Sequence, residues 1–359
     1  MKPVPRPGIL DVAAYVGGEH SLPGVNRVIR LASNENPLGP SEKAMAAYRD
    51  LASELHRYPD GGAAALRRAL GAAYKIDPAR IVCGAGSDEL IGLLVRAYAG
   101  VGDEVLYSRH GFLMYAISAR TVGAVPVAAP ERDMHADIDA LLAHVTPRTK
   151  IVFIANPNNP TGTWLPAGEI ARLRRHLPEN VLLVIDAAYA EYMVEPDYEP
   201  GIKLVESHEN VVMTRTFSKI HGLASLRIGW AYCAPAIADI LHRVRGPFNV
   251  SAPALAAAEA ALADIAHVEH SRTHNAKWRQ WFLEKLTALG FEAWPSGGNF
   301  LLVRFPDVDE AVRHLNARGV IPRRMASYGL PDCLRITIGT GEDMEAVVEA
   351  LAGLKSGQR

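Results

Sequence analysis

Cysteine is scarce in this chain of 359 residues: Cys83, Cys233 and Cys333 are the three present, and they lie far apart. That spacing excludes a disulfide framework and a Cys-x-x-Cys metal site, and it reads as buried free thiols in a reducing compartment. An excess of charge of one sign is missing too. Lys and Arg number 38 against 39 Asp and Glu, a formal net charge of -1 with no long basic run, so nucleic acid is not an expected partner. No apolar stretch approaches the roughly 20 residues that a membrane-spanning helix needs. The opening MKPVPRPGILDVAAYV has prolines and an aspartate where a signal peptide would be apolar, so a soluble, cytoplasmic protein is expected. Internal repeats and low-complexity tracts are also lacking. Apolar residues are what the chain has in quantity. At 49%, against 21% charged, they suffice for an extensive core in one large domain plus a smaller one.

From about residue 80 to 245, short β-rich runs alternate with helical ones. ARIVCG, DEVLYS, GAVPVAA, TKIVFIA, NVLLVID, NVVMTRT and RIGWAYC read as strands. SDELIGLLVRAYA, FLMYAISARTV, PAGEIARLRRHL and the segment around Ile237 have helical apolar spacing. Strands apolar throughout, separated by helices, imply an α/β fold with a mostly parallel sheet covered on both faces. Ligands bind such sheets at the carboxyl ends of the strands. Four polar motifs follow strands there: GAGSDE, NPNNPTG, DAAYAEY and TFSK. A boundary is expected near Arg245-Gly246-Pro247-Phe248. Beyond it the sequence predicts an alanine-rich helix over APALAAAEAALADIAHVEH, then a long amphipathic segment near 271–289 whose Trp278, Trp281 and Phe282 are core anchors. FEAWPS, NFLLVRF and CLRITIG alternate with helices after that, as a smaller α+β domain would.

Each motif has a bland reading beside a chemical one. NPNNPTG, residues 156–162, is a turn by local preference alone, yet it also fixes side-chain amides at the ligand edge. Asp186, closing VLLVI, is either a helix N-cap or the counter-ion of a protonated heterocycle, with the Tyr189 phenol near the same ring. Lys219 in TRTFSKIHG is a surface cation or a nucleophilic amine. Thr216, Ser218 and Arg227 suit a phosphate dianion, and Gly84-Ala85-Gly86-Ser87-Asp88-Glu89 offers another cradle, where glycines open a helix whose N-terminal amides face the ligand edge. GAGSDE is no dinucleotide fingerprint, because Glu89 stands where the third glycine belongs. An amine, a pyridinium counter-ion, phenol and amide donors and a phosphate cup together match what pyridoxal 5′-phosphate needs.

On these residues the chain resembles the fold-type I pyridoxal-phosphate aminotransferases and, among them, the histidinol-phosphate aminotransferase family. The marks run over nearly the whole length: LASNENPLGPS, RYPDG, AGSDELI, NPNNPTG, VIDAAYAEY, TFSKIHGLASLRIGW, GNFLLVRF and CLRITIGT. The resemblance implies an N-terminal arm over residues 1–30, a large cofactor-binding domain over 31–245 and a small domain over 246–359. It also implies that Lys219 holds the cofactor covalently and shuttles a proton between substrate Cα and cofactor C4′. Asp186 would pair with the pyridine nitrogen, and Asn159 and Tyr189 with the ring oxygen. Gly86, Ser87, Asp88, Thr216, Ser218 and Arg227 would surround the phosphate. Tyr58 would reach the cofactor of a neighbouring subunit in a homodimer. On the substrate side it implies Tyr15, Asn34, Arg323 and Arg335, with Arg335 as the clamp on the α-carboxyl or the equivalent alcohol end. Two departures stand out: Phe112 replaces a ring-stacking tyrosine, and Arg324 adds a cation beside Arg323. The expected activity is amino-group transfer between L-histidinol phosphate and 2-oxoglutarate, two small molecules, in histidine synthesis. Rivals are an aromatic amino-acid aminotransferase, a decarboxylase of threonine phosphate, and the effector domain of a transcription regulator. The last needs a DNA-binding domain, for which the residues before LASNENP leave no expected room.

Overall fold

The computed structural model describes residues 3–6, 8–12, 21–24 and 27–356. All seven apolar runs form strands of one sheet: β1 (Ile81–Gly84), β2 (Glu104–Ser108), β3 (Val125–Ala129), β4 (Thr149–Ala155), β5 (Leu182–Asp186), β6 (Val211–Thr216) and β7 (Gly229–Cys233). Their spatial order is β1-β7-β6-β5-β4-β2-β3. Strand β7 runs antiparallel to both its neighbours, and the remaining pairs are parallel. Alternate strand residues point to opposite faces, and both faces are covered. Leu183, Ile185 and Met213 face one apolar layer, while Leu182, Val184 and Val212 face another that includes Leu90 and Leu94 of the helix Ser87–Tyr98. Two-sided burial is why these strands read as continuous apolar runs. Because β1, β4, β5 and β6 run the same way, the four polar motifs that follow them emerge at one edge.

A second sheet is antiparallel: β8 (Ala293–Trp294), β9 (Phe300–Arg304), β10 (Arg323–Arg324) and β11 (Cys333–Thr337), in the order β8-β9-β11-β10. Phe282 and Leu286 of the helix Ile265–Ala288 are buried in its core, where Trp278 and Trp281 pack edge to face at 5.2 Å. The alanine-rich segment is not the single helix its composition suggests. It breaks at Ala263 and Asp264 into Ala252–Leu262 and Ile265–Ala288. The first of these packs on the helices Glu42–Asp50 and Ala64–Tyr74, with Ala254, Ala257, Ala258 and Ala261 in the core of the large sheet. Small side chains allow that close approach. Cys83, Cys233 and Cys333 are buried and unpaired. Among the described residues no helix is long and apolar enough to cross a membrane.

A buried ion pair joins β6 to the chain that follows β5. Arg215 Nη2 of β6 meets Glu191 Oε1 at 2.7 Å, with both side chains buried and the guanidinium 4.5 Å from the Tyr74 ring centre. Removing one partner of such a pair strands the other charge in the interior. Arg215→Met is therefore expected to lose about 3–5 kcal/mol in urea unfolding. Glu191→Leu combined with Arg215→Met should recover much of it; a single variant as stable as the parent would show that the pair is not a stabilising unit.

Candidate active site

Strand β5 ends on Asp186, whose carboxylate is buried rather than capping a helix. Its donors are neutral: the Tyr115 hydroxyl at 2.8 Å, the Thr214 hydroxyl at 3.3 Å and the Ala188 N–H. Burial pushes this carboxyl up to about 6; the Tyr115 hydrogen bond opposes the rise and the charge of Asp88 adds to it. After β6 the chain folds back on itself. Phe217 is fully buried, its N–H bonds Ile228 O and its carbonyl accepts from Leu223 N, while Lys219 O accepts from Gly222 N. Gly222 has φ +68°, and a Cβ there would lie 2.4 Å from Gly39 O, so the turn needs glycine. This loop turns the Lys219 amine inward, where Nζ donates to Ser33 O at 3.1 Å. Burial, then the Arg335 charge, pulls that amine down to about 8.

The phosphate-suited groups converge beside it. The helix Ser87–Tyr98 starts directly after Gly86, which has φ +84°. Its free N-terminal amides carry positive partial charge. A Cβ at Gly86 would lie 2.4 Å from Arg227 Nη2, so the glycine admits the guanidinium. Arg227 donates to Ser218 Oγ at 3.2 Å and pairs with Asp88 at 3.1 Å, and Ser218 N donates to Thr216 Oγ1. Glu89, where a dinucleotide site has glycine, accepts from Ala85 N at 2.6 Å and braces this loop.

The other end of the cavity is built from both sheets. Two of the three asparagines of NPNNPTG brace the turn: Asn156 bonds both Leu165 N and Leu165 O, and Asn158 bonds Thr161. Asn159 lines the cavity and accepts from Arg335 Nη1, whose neighbouring Nη2 donates to Ala32 O at 2.7 Å. The Tyr189 phenol accepts from Asn34 Nδ2 at 2.8 Å, and Asn34 Oδ1 accepts from Thr337 of β11. Asn34 is thus on the wall with its amide engaged by protein. Phe112, Arg323 and Tyr328 complete the lining. Arg323 lies opposite Arg335 in the β10–β11 register, whereas Arg324 points to the far side and pairs with Asp309 at 2.5 Å. Tyr58 is not in this cavity; it is 83% exposed and stacked on Phe248 at 4.7 Å. Tyr15 lies outside the described residues. Sequence reading missed Tyr115, Tyr328 and the Ala32 and Ser33 carbonyls. Tyr115 looks like any core aromatic, and a backbone acceptor has no signature.

The family model for aminotransferase class I and II matches residues 26–351. A histidinol-phosphate aminotransferase of Paramagnetospirillum magneticum is 59% identical over 97% of this chain and 98% of its own length. The chain belongs to the histidinol-phosphate aminotransferase family. A second member, from Rhodospirillum centenum, is 58% identical over 97% of this chain and 98% of its own. The crystal structure of the Sinorhizobium meliloti histidinol-phosphate aminotransferase, in complex with pyridoxal-5′-phosphate, superposes with a TM-score of 0.84. It is 30% identical and the match covers 93% of this chain and 92% of that one. Histidinol-phosphate aminotransferases depend on pyridoxal 5′-phosphate, and the cavity suits that group. Asp186 is a buried carboxylate met by neutral donors alone, which leaves a place for a cationic ring nitrogen.

A pH dependence follows for the cofactor-free protein. The unfolded Asp186 carboxyl titrates near 3.8 and the folded one near 6, so the folded state holds the proton more tightly. Its contribution to stability is full below pH ~4 and is lost as pH rises to about 6, on the order of 3 kcal/mol. Asp186→Asn should lack this decline in urea unfolding of the cofactor-free protein; equal pH slopes would contradict a buried, uncompensated carboxylate.

Proposed function

We propose that this enzyme moves the amino group between L-histidinol phosphate and 2-oxoglutarate, with Lys219 and Asp186 as its central residues. The observation that carries the reading is a single cavity lined by Lys219, Asp186, the Arg227 cup and two further arginines, Arg323 and Arg335. When bound, pyridoxal 5′-phosphate supplies the electron sink for the pair released at the substrate Cα and carries the amino group between donor and acceptor. In our reading Ser87, Thr216, Ser218 and Arg227 hold its phosphate, Asp186 its ring nitrogen, Asn159 and Tyr189 its ring oxygen, and Phe112 its face. Lys219 Nζ would hold it covalently and, once displaced by the substrate's amine, would be free to take up and return the Cα proton. An amine with its pKa near 8 is neutral in roughly a tenth of molecules at pH 7, far more often than an ordinary lysine, and that task needs the neutral form. Burial is the main cause of the low value.

Arg335 and Arg323 face the same space from adjacent strands and favour a substrate with anionic groups. We assign Arg335 to the carboxylate of glutamate or the alcohol end of histidinol phosphate, and Arg323 to the substrate phosphate. Asn34 acts on the substrate side by orienting Tyr189. Tyr58 sits with Leu55 and Phe248 on an exposed apolar face, which supports a homodimer in which Tyr58 reaches the partner's cofactor phosphate. We also take the protein as cytoplasmic. The arm over residues 1–30 and the division near 245 remain our partition of the chain, with the helix Ala252–Leu262 packing on the large-sheet side.

Purified protein should be yellow, and Lys219→Ala should abolish both turnover and the borohydride-reducible lysine adduct. A colourless parent that binds no pyridoxal phosphate would sink the reading. Arg323→Ala should raise KM for histidinol phosphate roughly 10- to 100-fold, the cost of lost charge-assisted hydrogen bonds. KM for phenylalanine should change far less; equal losses for both would remove Arg323 from phosphate recognition.

A further inference from the structure

We propose that Tyr115 is a positioning residue of the reaction: its buried phenol fixes the Asp186 carboxylate and keeps it anionic for the cofactor ring nitrogen. This rests on the role given to Asp186 above. Tyr115 is the second residue of the helix Met114–Val122 and has no exposed surface. Its ring stacks on Phe153 of β4, centroids 4.5 Å apart and planes 6° from parallel. The same ring meets Phe112 edge to face at 6.0 Å. These contacts leave the hydroxyl one direction, along which it reaches Asp186 Oδ2 at 2.8 Å. Thr214 serves the other oxygen, Oδ1. With the Ala188 N–H, three neutral donors meet a group that has about four acceptor sites, so they orient it without saturating it.

The surroundings make the phenol the principal support for negative charge. The strands flanking Asp186 offer Ala155 and Thr214, neither of which titrates. Asp88 faces it from the helix Ser87–Tyr98, and Tyr189 and Tyr198 from the chain after β5. None of these is a cation. The Tyr115 phenol is itself held well above its ordinary range, by burial and then by Asp186, so it remains a donor at every working pH. Through its edge contact with Phe112, the residue also ties the counter-ion to the ring that would cover the cofactor face.

Tyr115→Phe keeps the ring and removes one oxygen. The cofactor-free variant, titrated with pyridoxal 5′-phosphate, is expected to bind it about tenfold or more weakly, the usual loss of one hydrogen bond to a charged group. The stability decline assigned to Asp186 should also move to higher pH. In an Asp186→Asn background the same substitution should change Kd less than about twofold. Equal losses in both backgrounds would reduce Tyr115 to packing and overturn the proposal. An Asp186→Asn protein that binds the cofactor like the parent would instead overturn the reading of Asp186. If Tyr115→Phe fails to fold, difluorotyrosine placed at position 115, a stronger donor of the same shape, should shift the decline to lower pH. An unmoved profile would then overturn the proposal.

Discussion

Placing the Asp186 carboxylate at the end of an apolar strand costs several kcal/mol unless its charge is met. The elements around it divide that task. Strand β6 supplies Thr214, the helix Met114–Val122 supplies Tyr115, and the turn beyond β5 supplies the Ala188 N–H. No cation is among them, so the remaining compensation has to come from whatever occupies the cavity. A buried carboxylate with only neutral donors favours a cationic partner, because its own hydrogen bonds leave part of its charge uncompensated.

The amine is governed by the opposite sign of the same effect. Burial disfavours charge on Lys219 as it does on Asp186, and Arg335 adds repulsion. Arg335 in turn donates to Asn159 and to Ala32 O, both neutral acceptors. Residues 32–34 sit between these groups. Ala32 O receives Arg335, Ser33 O receives Lys219, and Asn34 joins Tyr189 to Thr337. A short segment, bent at Ala32 and Ser33 and with Asn34 at φ +57°, therefore links the amine beside the large sheet to Arg335 of the small one.

Much of this was legible in the sequence, for a physical reason. Strands buried on both faces carry uninterrupted apolar runs, and the polar motifs after them can only lie at strand ends. The seven strands, the common edge and the convergence of Asp186, Lys219, Asn159 and Arg227 follow from that. The antiparallel direction of β7 does not, because an apolar run has no polarity. The partners of the helix Ala252–Leu262 do not follow either, because alanine fits either core and tertiary packing decides between them. Nor do the buried bonds of Asn34 in LASNENP to Tyr189 and Thr337, which depend on contacts about 155 and 303 residues away.

The pair Arg323 and Arg324 shows how little separates a site residue from a surface one. Both are cations on the same short strand, and composition gives no ground to choose between them. The pleat does: successive side chains on a strand face opposite sides. Arg335 lies opposite Arg323, so these two share the cavity wall, while Arg324 is turned outward to Asp309. An exposed pair of that kind contributes little to stability. Its consequence is for charge: Asp309 neutralises Arg324 away from the cavity, so the positive field at the substrate end comes from the two arginines that face it. A slip of one residue in β10 would exchange them, and the β10–β11 register is what prevents it.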